Sequence, residues 1–298
     1  MDPAIGTLFS VPDVLPLIFS WLDPSSLALA ACVCRGWRDT ARKVRDDNNQ
    51  RFRLILTDLV ADAPLLAWVA ANLGEKQLPA TLQTNLCALS AKNGALAALQ
   101  WARERGCPWD WRACAYAAGD GHLTSLQWAH ANGAPWDARV CAGAARNGHL
   151  ATLQWAREHA CPWNATVCGA AAMGGHLEIL RWARLNGAPW DEGVCVNAAK
   201  NGHLELLQWA NGAGMPWDNL VCAYAAMGGH IATLKWLRAQ GASWDKDVCA
   251  VAAENGHLEL LQWARENGCP WDRKHCSEWA SGARVVAWID AQPVAADD

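Results

Sequence analysis

Asp137-Ala-Arg-Val-Cys141-Ala-Gly-Ala-Ala-Arg146-Asn147-Gly148-His149-Leu150-Ala-Thr-Leu-Gln-Trp155-Ala-Arg-Glu158-His-Ala-Cys161-Pro162-Trp163 is a 27-residue stretch that recurs along the chain. Four columns of residues keep its period without slippage. His122, His149, His176, His203, His230 and His257 form one. Trp101, Trp128, Trp155, Trp182, Trp209, Trp236 and Trp263 form a second, and Trp109, Trp136, Trp163, Trp190, Trp217, Trp244 and Trp271 a third. The fourth is Cys87, Cys114, Cys141, Cys168, Cys195, Cys222, Cys249 and Cys276. A fixed period in this size range marks a repeat array.

Each unit writes two helices. Asp137 suits an N-cap, because its carboxylate can accept the orphan amides of a first helical turn. Asp110, Asn164, Asp191, Asp218, Asp245 and Asp272 fill the same column. Trp136 then falls at N′ and Cys141 at N4, the two positions of a hydrophobic staple. The first helix, A, ends at Asn147-Gly148, where glycine can take a left-handed conformation. The second, helix B, runs from about His149 to Glu158. It closes on a turn such as Asn132-Gly133-Ala134-Pro135, with Gly at C′ and Pro beyond.

Helix A offers small residues (Cys195, Ala198, Ala199) that allow close approach. Helix B offers Leu204, Leu207 and Trp209, and the tryptophan is expected to fill the stacked layer. A pair this short cannot bury its own apolar face, so neighbouring repeats must supply the core. The expected fold is all-α, an elongated α-solenoid of antiparallel helix pairs. A leucine-rich repeat is excluded, because no L-x-x-L-x-L-x-x-N strand signature occurs.

Within the unit, Ala198-Ala199-Lys200-Asn201-Gly202-His203-Leu204-Glu205-Leu206-Leu207 resembles the ankyrin repeat's A-A-x-x-G-H-L-E-x-V/L. The unit is shorter than the ankyrin repeat's 33 or so residues. The T-P-L-H start is replaced by Asp-x-x-Val-Cys. The missing residues fall where ankyrin proteins carry a β-hairpin loop, so a tight turn is expected there. The short, tryptophan-rich form resembles repeats of large DNA viruses of amoebae. An ankyrin-like array is placed at residues 60–298, with seven full repeats over about 83–271. A degenerate helix pair near Ala63–Asn72 leads it, and an irregular copy follows Cys276, with Gly282-Ala283 in place of Gly-His. Atypical ends are what capping repeats look like.

Residues 7–55 do not follow the period. Leu15–Leu22 suits a helix, Asp23-Pro24 an N-cap and N1, and Leu27 to about Val44 a further helix. This module resembles the F-box, roughly L-P-x-E-L…I-F-x-x-L-D-P-x-x-L…V-C-x-x-W, and a three-helix fold is implied. Matching residues include Val11, Pro12, Leu15, Ile18, Phe19, Leu22, Asp23, Pro24, Leu27, Val33, Cys34 and Trp37. The opening segment is one residue short, Pro16 lies in the first helical turn, and Ala30 replaces the usual leucine. By resemblance, Pro12, Leu15, Ile18, Phe19, Leu22, Leu27, Val33, Cys34 and Trp37 would bind a Skp-type adaptor and through it a cullin ubiquitin ligase.

Composition narrows the function classes. Apolar residues make up 52% and charged residues 18% of the 298, which suits an ordered protein. Residues 1–58 carry seven acidic and seven basic groups, so the net charge of −4 lies in the other 240. No stretch is basic enough for a phosphate footprint, and nucleic acid is not an expected partner. The longest apolar run, Leu27–Cys34, is too short for a membrane span. Met1-Asp2-Pro3 lacks the basic start of a signal peptide. Cytoplasm or nucleus is expected, of a host cell if the chain is viral. Thirteen cysteines, an odd number, argue against a disulfide framework.

Cys and His stand eight residues apart in each unit, not in the close pairs of zinc sites, so no metal or other cofactor is expected. The cysteines suit small apolar packing, and the histidines can hydrogen-bond across repeats. No phosphate loop, nucleophile elbow or H-E-x-x-H occurs, and no enzyme activity is expected.

Two columns of helix A vary from unit to unit. Two residues after the cysteine stand Tyr116, Asn197 and Tyr224; five after it stand Arg146, Met173, Lys200, Met227 and Glu254. Spacing of three puts both on one helix face, which in ankyrin-type stacks lines the concave surface. These eight residues are the expected target-binding face. The leading expectation is a monomeric protein–protein adaptor that recruits substrates to a Skp–cullin–F-box ubiquitin ligase. The alternative is a scaffold or decoy whose F-box remnant no longer engages a ligase.

Overall fold

The computed structural model describes residues 80–217 and 220–293. The F-box-like module and the helix pair near Ala63–Asn72 lie outside them. The described residues contain sixteen helices and no strand: α1 (Ala80–Lys92), α2 (Leu96–Glu104), α3 (Trp111–Gly119), α4 (Leu123–Ala131), α5 (Ala138–Arg146), α6 (Leu150–Glu158), α7 (Ala165–Gly174), α8 (Leu177–Leu185), α9 (Gly193–Lys200), α10 (Leu204–Gly212), α11 (Val221–Met227), α12 (Ile231–Ala239), α13 (Lys246–Glu254), α14 (Leu258–Glu266), α15 (Arg273–Trp279) and α16 (Ala283–Asp290). The odd-numbered helices are the A helices of the repeat, the even-numbered ones the B helices. The residues fall into two compact units, one ending at Val140 and the other beginning at Cys141. In the first, α1 packs on α3 and α2 on α4. In the second, α7, α9, α11, α13 and α15 pack in sequence, each A helix against the next.

Local chemistry places the helix ends. Asp110 accepts a hydrogen bond from the Arg112 amide at 2.9 Å, Asn164 from Thr166 at 3.0 Å and Asp245 from Asp247 at 3.0 Å. Each cap satisfies an amide that helix geometry leaves unpaired. The loop glycines Gly148, Gly175, Gly202, Gly229 and Gly256 all have positive φ, so the chain reverses between helices A and B without steric cost. The second turn uses Gly106, Gly133, Gly187, Gly214, Gly241 and Gly268 in the same way. Ala160 occupies that column at φ 61°, the one non-glycine residue with positive φ among the described residues. A side chain there carries left-handed strain of about 1–2 kcal/mol, partly offset by the entropy glycine adds to the unfolded chain. Ala160→Gly is therefore expected to raise the unfolding free energy by about 0.5–1 kcal/mol, measured as a higher urea midpoint. A lower midpoint would show that the strain is absorbed elsewhere.

The core is built of leucine, alanine, valine and cysteine. Leu99, Leu126, Leu153, Leu180, Leu207, Leu234 and Leu261, one in each B helix from α2 to α14, are fully buried. So are the cysteine column and the alanine pairs Ala171/Ala172, Ala198/Ala199, Ala225/Ala226 and Ala252/Ala253. Alanine pairs let successive A helices approach closely. The tryptophans do not fill this layer. Every member of the helix B column, Trp209 among them, is only half-buried. Five rings of the Trp109–Trp271 column instead meet a helix B ring at a steep angle: Trp109 with Trp128 (centroids 5.9 Å), Trp163 with Trp182 (5.9 Å), Trp190 with Trp209 (5.8 Å), Trp217 with Trp236 (5.7 Å) and Trp244 with Trp263 (5.7 Å), while Trp136 stacks on His130 at 3.9 Å. Edge-to-face contact suits the ring quadrupole. Arginines the repeat pattern had not singled out complete the ladder. Arg103, Arg184 and Arg238 lie over Trp109, Trp190 and Trp244 at 4.1, 4.2 and 4.3 Å. Arg184 also donates to the Ala188 carbonyl at 2.7 Å, which pins the turn below the ring.

Candidate target-binding surface

The histidine column sets the spacing between repeats. His203 Nε2 lies 3.1 Å from the Met173 carbonyl, and His257 Nε2 3.0 Å from the Met227 carbonyl. A Cβ added at Gly175 would fall 2.6 Å from the His203 ring, and one at Gly229 2.7 Å from His257. The glycine of one repeat is thus the seat for the histidine of the next. Burial holds the His230 imidazole below its ordinary pKa, against a backbone hydrogen bond at Lys200 that raises it. The expected hydrogen bonding across repeats therefore occurs, and it is directed at the end of helix A.

Burial also acts on the cysteines. The Cys114 thiol is pushed up to about 12, and those of Cys168 and Cys222 to about 11, desolvation being the largest cause in each. At neutral pH they are protonated and pack as small apolar groups. Among the described residues no three His, Cys, Asp or Glu side chains cluster closely enough to hold a metal ion.

The varied columns face outward. In the first unit Tyr116 is 36% exposed, and its ring stands 6.3 Å from that of Trp111, with the Arg139 guanidinium 3.4 Å above Trp111. In the second unit Arg146, Lys200 and Glu254 are exposed, while Met173, Asn197, Tyr224 and Met227 are half-buried. Asn197 is partly a structural residue: its Nδ2 donates to the Gly169 carbonyl at 3.2 Å and ties α9 to α7.

Three of the eight expected residues come together. Tyr224, Met227 and Glu254 line a depression of about 270 Å³ formed by α11, α13 and α15. Ala223 and Ala250 make its small-residue floor. Leu220, Asp247 and His275, which the two-column pattern left out, complete its wall. Leu220 and Asp247 stand two residues before their cysteines. That column also varies, through Arg112, Arg139, Thr166 and Gly193, and its spacing of four from Tyr224 and Val251 keeps it on the same helix face. His275 stands in the column that holds Val140, Val167, Val194, Val221 and Val248.

Residues 12–45 match the F-box-like family model. The match lies within the 7–55 segment whose pattern resembles an F-box. No curated protein is significantly similar to the chain. Among solved structures, the human ASB11 ankyrin repeat domain is 19% identical, with a TM-score of 0.46, over 61% of this chain and 99% of that one. Among the described residues no helix is long and apolar enough to cross a membrane.

Proposed function

We propose that the chain is a substrate-recruiting adaptor of a Skp–cullin–F-box type ubiquitin ligase. The F-box-like module, residues 7–55, would engage a Skp-type adaptor through Ile18, Phe19, Leu22 and Trp37. The repeat array, residues 60–298, would hold the target protein on the A-helix face, in the cytoplasm or nucleus. The observation that carries this reading is the joining of an F-box-like segment at 12–45 to helical repeats that hold constant buried columns of cysteine and leucine and vary at outward A-helix positions. An apolar floor with tyrosine and methionine on its walls has the composition of protein interfaces.

Co-expression of the full chain with a Skp-type adaptor tests it. The two are expected to co-purify, and Ile18, Leu22 and Trp37 changed together to polar residues are expected to abolish the complex while the helical content stays unchanged. An unmutated chain that leaves the adaptor behind would make it a scaffold rather than a ligase subunit.

A further inference from the structure

The depression among α11, α13 and α15 has a one-sided charge. Its apolar part is Leu220, 46% exposed, with Tyr224, Met227 and Val251. The ionised side chains on its lining are both carboxylates, Asp247 and Glu254, and both residues are exposed. Among the described lining residues none is Lys or Arg. Lys246 precedes Asp247 on the helix but does not line the depression, and Lys274 lies 4.0 Å from Glu278 on α15. Trp279 is 60% exposed at the end of that same helix, its ring 6.2 Å from His275, which lines the depression. His275 and Trp279 stand four apart, on one face of α15.

We infer that this depression is the anchor site for a protein segment that carries one apolar side chain beside a lysine or arginine. The apolar side chain enters between Leu220, Tyr224 and Met227, over the alanine floor. The cation is held by Asp247 and Glu254, and the exposed Trp279 face offers a cation a second partner. Charge complementarity excludes an acidic segment, because two carboxylates left facing a third would be repelled. Arg146 and Lys200, on the same A-helix face, give that face the opposite sign away from this end.

The inference rests on the reading of the repeats as a target-binding array, and the experiment separates the two. A phage-displayed library of short random peptides is selected on the immobilised full chain, and the recovered peptides are titrated by interferometry. Enrichment of Lys or Arg next to Leu, Ile, Phe or Met is expected. Met227→Ala and the pair Asp247→Lys with Glu254→Lys should each weaken these peptides about tenfold or more. Peptides remade with Glu in place of the basic residue should regain binding to the charge-reversed pair. Urea midpoints of the variants guard against loss of fold. Recovered peptides that ignore these changes but are lost in Arg146→Ala with Lys200→Ala would overturn the anchor site and leave the A-helix reading standing. Peptides insensitive to both sets, or a library that yields no binder, would overturn both.

Discussion

Leu207→Ala is expected to lower the unfolding free energy by about 3–5 kcal/mol, and Trp209→Ala by only about 1–2 kcal/mol. Leu207 has no exposed surface and belongs to a column in which Leu180 and Leu234 are equally buried. Truncation there leaves a void between stacked repeats, and its walls are leucine and alanine that cannot collapse into it. The Trp209 ring is larger, but it sits half-exposed, tilted against Trp190 at 5.8 Å. Removing it opens no closed cavity, so the loss is the ring pair, about 0.5–1.5 kcal/mol, and part of one ring's burial. Urea unfolding of the two single variants compares them directly. If Trp209→Ala proved the costlier, the tryptophan ladder would belong to the core after all.

That contrast also shows where the sequence was legible. Period, caps and turns are local chemistry, and each column of Asp, Gly or His states its role in one unit. Asp245 caps α13, Gly202 takes positive φ, and His203 reaches the preceding repeat. Burial depth is a different question. A strict period says that a residue repeats, not how deep it lies. Leu207 and Trp209 are two residues apart, about 200° around the helix, so they cannot both face the same layer. Leu206, Leu207 and Ala210 define the buried stripe, and Trp209 falls on its flank. The helical wheel held that answer; ring size masked it.

The candidate surface was legible in the same partial way. Variation picked out Tyr224, Met227 and Glu254, because stacking leaves those positions free. Two columns describe a line, however, and a depression needs two sides. Leu220 and Asp247 supply the other side from one turn earlier, and the small Ala223 and Ala250 make the hollow. The acidic sign of this end follows from Asp247 and Glu254 together, which no single column reveals.

Gly175→Ala is expected to cost about 2–4 kcal/mol, and Gly187→Ala only about 0.5–1 kcal/mol. Both glycines have positive φ, 76° and 81°, so both variants carry the same left-handed strain. Their surroundings differ. A Cβ on Gly187 meets nothing within 4 Å, whereas one on Gly175 lands 2.6 Å from His203 Cε1 and Nδ1. The imidazole must then leave its seat, which breaks its contact with the Met173 carbonyl at 3.1 Å. A partly buried carbonyl without its partner adds about 1–3 kcal/mol. The excess of Gly175→Ala over Gly187→Ala therefore measures how firmly the histidine is seated between repeats. Adding His203→Ala to Gly175→Ala removes the clashing ring, so the double variant should cost less than the sum of the two single ones. Equal losses at the two glycines, or strict additivity of Gly175→Ala with His203→Ala, would mean that the histidine column tolerates displacement and that the spacing of the repeats is fixed by the alanine and leucine layers alone.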